Sequence, residues 1–136
     1  MQRYKELVEV AHKYYPRDGG FCTVIALAVV TGWAFGKARS VMYRQQGRVD
    51  RRGSTVSKLN AAVEAAGYRV QQVNKAAYGK TLTTVQRDLG KLGGTWLVYS
   101  ARHVTTIKDG KCEDWASNDY KPSRYKVESI YQIIKG

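Results

Sequence analysis

Apolar positions recur at helical spacing through the first half of the chain and at strand spacing through the second. Tyr4, Leu7, Val8, Ala11 and Tyr15 fall on one face of a helix over residues 3–15, which Pro16 ends by constraining the residue before it. The next stretch, from Cys22 to about Gly32, is apolar on every face and predicts a central helix enclosed by the rest of the domain. A third helix is expected over 34–46, with Phe35, Ala38, Val41, Met42 and Gln45 on one side and Lys37, Arg39 and Arg44 on the other. Ser54 or Thr55 caps a fourth, whose inner face is Val56, Leu59, Val63 and Ala66, and Gly67 supplies a left-handed stop.

After Gly67 the period shortens. Residues 68–73 read as a strand, Thr81 caps a shorter helix with Leu82, Val85 and Leu89 inward, and Gly93-Gly94 releases the chain into a strand over 95–100. A β-hairpin over 103–115 turns at Asp109-Gly110, a pair suited to the positive φ values of a type I′ turn, and residues 127–134 add one more strand. The expected class is α+β, with an N-terminal helical half whose central helix packs against a C-terminal antiparallel β-sheet.

With 136 residues, 43% of them apolar, and no repeat or low-complexity tract, the chain reads as one domain over 1–136. Its longest apolar run is shorter than the roughly 20 residues needed to cross a bilayer, and residues 1–6 carry no signal-like apolar segment. The expectation is a cytoplasmic protein with no membrane span. The net charge of +12 changes the picture of its partners. It attracts phosphates, an acidic protein or an anionic surface, through Arg44, Arg48, Arg51 and Arg52 and through the tail Lys121, Arg124 and Lys126. The ten tyrosines follow no base-stacking pattern, so a nucleic acid or acidic protein partner is expected on charge alone.

Candidate chemistry begins at Cys22, where the glycine turn Asp18-Gly19-Gly20-Phe21 enters the central helix. A thiol at a helix N-terminus meets unpaired backbone N–H groups and the positive end of the macrodipole, both of which favour thiolate. A plain buried cysteine, or a disulfide to Cys112, is the alternative. Neither of the two cysteines lies in a metal-ligand pattern, so no metal site and no cofactor are expected. Across a two-residue turn at Asp109-Gly110, Lys108 pairs with Lys111, Ile107 with Cys112, Thr105 with Asp114 and His103 with Ala116. His103 and Asp114 then share a face as diagonal neighbours, where a carboxylate can orient an imidazole. His12 is the competing histidine, on a polar helix face, and Asp119 is the alternative acid, in an irregular segment.

The order Cys22, His103, Asp114 resembles that of the papain-like cysteine peptidases, and most closely their small bacterial and phage C39-like members. The resembling pieces are the stretch from Asp18 through Cys22 to Ala28, the segments 54–70 and 81–89, and the hairpin. The resemblance implies a papain-like fold in which Cys22 is the nucleophile, His103 the base and then acid, and Asp114 the orienter, acting on a protein or peptide amide bond through a thioester. The family places a glutamine five or six residues before the cysteine to stabilise the oxyanion. This chain has Pro16 and Arg17 there, leaving the Cys22 backbone N–H and Arg17 as oxyanion candidates. Two other readings stand beside the peptidase: a different thiol acyl transfer, amidase or transglutaminase-like, and a degenerate, non-catalytic member that binds nucleic acid or an acidic protein.

Overall fold

The computed structural model describes residues 3–17, 19, 21–48, 55–73, 79–100, 103–113 and 126–135. Four helices come first: α1 (Arg3–Tyr14), α2 (Cys22–Thr31), α3 (Phe35–Gln46) and α4 (Val56–Ala65). There follow β1 (Tyr68–Val73), α5 (Leu82–Leu92), β2 (Thr95–Ser100), β3 (His103–Lys108), β4 (Lys111–Glu113) and β5 (Ser129–Lys135).

The helix ends follow local chemistry. Thr55 and Thr81 sit in extended backbone and accept hydrogen bonds from the N–H groups of Lys58 and Thr84, filling the N-cap role. Gly32 and Gly47 end α2 and α3 with positive φ, where a side chain would be strained. Every residue of α2 from Thr23 to Val30 is buried, which makes this helix the packing centre of the domain. Each large aliphatic side chain so enclosed contributes about 1.5–3 kcal/mol relative to exposure. Among the described residues, no single helix is long and apolar enough to cross a membrane.

The strands form one antiparallel sheet in the order β1-β5-β2-β3-β4. Alternation gives it two unlike faces. Leu97, Tyr99, Val104 and Ile133 pack with α1 to α4, whereas Trp96, Val98, Ile107 and Ile130 pack with Leu82, Val85 and Leu89 of α5. The α+β class expected from sequence is therefore present, and α5 stands apart from the first four helices, covering the sheet face opposite α2. The Asp109-Gly110 turn is formed with φ of 51 and 80, and the pairs Lys108↔Lys111 and Ile107↔Cys112 follow the expected register. At the far end of β3, Lys108 Nζ donates to the carbonyl of Val29 at 3.3 Å, which fixes that end beside the C-terminal part of α2.

Candidate functional site

Cys22 opens α2 and is half-buried, in a helix whose next eight residues are all buried, and its thiol is free. The helix begins without a side-chain cap, because its N-cap residue is Phe21 and a phenyl ring accepts no backbone bond. The first intrahelical bond runs from Ile25 N–H to the Phe21 carbonyl at 2.8 Å, so helical geometry provides no acceptor for the N–H groups of Cys22, Thr23 and Val24. Thr23 Oγ1, next in the chain, is buried without a hydrogen-bond partner among the described residues.

Arg48 holds the approach to this helix. Its side chain is only 4% exposed, Nη2 donates to the Gly19 carbonyl at 2.7 Å, and the guanidinium lies over the rings of Phe21 and Tyr43 at 5.1 and 5.5 Å. Arg39 continues the stack over Tyr43 and Tyr15, and Phe35 meets both Phe21 and Tyr15. The weakly hydrated, planar guanidinium suits such a place, where an ammonium would not. Arg48 is thus a correction to the expected basic surface: it is an interior brace. Arg44 is exposed as expected, while Arg51, Arg52, Lys121 and Arg124 lie outside the described residues. Arg17 is exposed in the turn after α1.

On the sheet, Tyr99 comes from β2 and faces α2. It is 6% exposed, donates from its hydroxyl to Asn60 Oδ1 on α4 at 3.3 Å, and meets the Tyr131 ring edge-on at 5.6 Å. Burial first, then the neighbouring Tyr131 and Cys22, hold the phenol far above its ordinary value of 10.0. The hydroxyl therefore stays protonated and remains a donor. Cys22 packs on this same cluster. Neither Tyr99 nor Asn60 stands out in the sequence; a strand tyrosine and a helix asparagine carry no signal until the fold joins them.

His103 leads β3, half-buried, and pairs with Ser100 on β2. Val104, the next residue, is the one packed on the α2 side, so alternation directs His103 toward the α5 side of the sheet. His103 is therefore directed to the face opposite the one on which α2 and Cys22 pack. Asp114, the alternative acid Asp119 and Trp115 lie outside the described residues. His12 is exposed on α1. An open groove of about 530 Å³ lies on the α5 side, lined by Thr83, Gln86, Arg87, Gly90, Lys91 and Gly110, and includes none of the expected catalytic residues. Among the described residues, no group of three or more His, Cys, Asp or Glu side chains is placed to hold a metal ion. No family model matches this chain, and no curated protein or solved structure matches it either.

Proposed function

We propose that the protein is a thiol acyl-transfer hydrolase of the papain-like kind, a cysteine peptidase in which Cys22 attacks and His103 manages the proton. The observation that carries this reading is the contrast at the head of α2. A free, half-buried thiol precedes an unbroken run of buried residues, beside backbone donors that the N-cap residue Phe21 does not cap. In the reaction, the Cys22 proton passes to His103 as sulfur bonds to the carbonyl carbon and the carbonyl pair moves to oxygen. Collapse of that intermediate expels the amine, which takes the proton from His103, and water then releases the acyl group. Asp114 would orient the imidazole.

The alternation of β3 puts a condition on this reading, because His103 must reach Cys22 around the strand end. Substitution tests it directly. With denatured casein and p-nitrophenyl acetate as substrates, Cys22→Ala is expected to abolish turnover, and His103→Ala to lower it by about a hundred- to ten-thousand-fold. Full turnover in either variant overturns the mechanism. The +12 charge supports a second reading, in which a basic surface holds a nucleic acid or acidic protein. That binding would weaken steeply with salt and survive Cys22→Ala.

A further inference from the structure

Pro16 and Arg17 stand six and five residues ahead of Cys22 in place of a glutamine, so an enzyme built on this thiol needs another donor for the oxygen that becomes negative during attack. We infer that the Tyr99 hydroxyl, on the sheet face covered by α2, is that donor. The inference rests on the acyl-transfer reading above and deepens it by naming the group that stabilises the intermediate.

Three observations converge on Tyr99. Its strand position directs it to the sheet face covered by α2, as its packing with Val104, Leu97 and the α2 side chains shows. Cys22 packs against the same core cluster that contains Tyr99. Its ring is set against Tyr131 and its hydroxyl donates to Asn60 Oδ1 at 3.3 Å. A 3.3 Å bond is long for an O–H donor, whose usual range ends near 3.0 Å, so the hydroxyl is weakly held and exchanges readily to a stronger acceptor. An oxyanion is such an acceptor, because bonds to ionised groups are roughly twice as strong as neutral ones. Burial keeps the proton on the phenol, so donation does not compete with ionisation. The uncapped N–H of Cys22 supplies the second donor.

The chemistry offers a test that needs no natural substrate. p-Nitrophenyl acetate acylates a thiol through a tetrahedral oxyanion: sulfur bonds to the acetyl carbon, the carbonyl pair moves to oxygen and returns, and p-nitrophenolate leaves while the thiol proton is taken up by base. Iodoacetamide alkylates the same sulfur by displacing iodide, with no oxyanion. The ratio of the two rates at Cys22, followed by peptide mapping after brief reaction of the folded protein, therefore isolates oxyanion stabilisation from thiol reactivity. Tyr99→Phe is expected to lower acetylation by about a hundred- to a thousand-fold while alkylation is unchanged. Tyr131→Phe, which removes a neighbouring hydroxyl from the same cluster, is expected to leave the ratio alone. Asn60→Leu removes the competing acceptor with Tyr99 in place, and is expected to hold or raise the ratio. An unchanged ratio in Tyr99→Phe overturns the inference and leaves the acyl-transfer reading standing. So does a parallel fall of both rates, which marks Tyr99 as a packing residue. If Tyr99→Phe fails to fold, a fall in the Asn60→Leu ratio overturns the inference in its place. Failure of the wild-type protein to acetylate at Cys22 removes the acyl-transfer reading itself, and the inference with it.

Discussion

Arg48 Nη2 donates to the carbonyl of Gly19, a residue 29 positions earlier, at 2.7 Å. The bond joins the end of α3 to the turn that enters α2, and the guanidinium covers the Phe21 ring one residue before the thiol. Removing this guanidinium leaves the Gly19 carbonyl without that donor and uncovers the faces of Phe21 and Tyr43.

Arg48→Met is accordingly expected to lower stability by about 1.5–3 kcal/mol, the range for hydrogen bonds that involve a charged group. Arg48→Lys keeps the charge but loses the planar fork, and is expected to restore only part of the loss. Urea midpoints measure both. Wild-type midpoints in the two variants would show that the bond is incidental.

Native iodoacetamide labelling is expected to modify Cys22 before Cys112. Cys22 heads an uncapped helix, whereas Cys112 occupies strand β4 opposite Ile107. Peptide mapping of a short reaction reads the order, and equal or inverted rates would remove the argument for a specially placed thiol.

Stability at high pH should depend on Tyr99. Its pKa is raised in the folded protein, so its contribution is complete below its ordinary value of 10.0 and is lost as pH climbs beyond it, because the unfolded chain releases a proton that the native state retains. The difference in urea midpoint between wild type and Tyr99→Phe should be flat below about pH 9 and shift against the wild type above about pH 10. A constant difference across that range would mean that the native phenol titrates normally.

The hairpin turn offers a test of the sheet. Gly110 has φ of 80 and its backbone lies against Gly90 of α5, where a Cβ on Gly110 would meet the Gly90 Cα at 3.5 Å. Gly110→Ala is expected to cost about 1–2 kcal/mol from the left-handed conformation alone. A urea midpoint within experimental error of wild type would contradict the turn geometry.

Much of this architecture was legible in the residues. Thr55 and Thr81 declare helix starts because a hydroxyl in extended backbone can reach the first turn, and Asp109-Gly110 declares a turn because few other pairs accept its φ values. The all-apolar run after Cys22 marks burial by its lack of a polar face. Arg48 was not legible: its charge reads as surface, and its burial depends on Phe21, Tyr43 and Gly19 arriving from other segments. The two faces of the sheet were hidden for a related reason. The β2–β3 register puts Tyr99 and His103 on opposite faces, and the packing of α2 on one side and α5 on the other says which of them faces the thiol-bearing helix.

Strand β5, the latest in sequence, lies between β1 and β2. A ribosome therefore delivers the outer partner and the inner partner first and the strand that joins them afterwards. Until β5 arrives, β1 and β2 each present a row of unsatisfied backbone groups, an invitation to pair with another chain. Its pairing with β1 spans some sixty residues, from Tyr68↔Lys135 to Val73↔Ile130, so closure is a long-range and comparatively slow event. During synthesis the vulnerable period of this sheet is the wait for β5, and a chaperone that shields β1 in that interval would raise the yield of folded chains without altering their eventual stability.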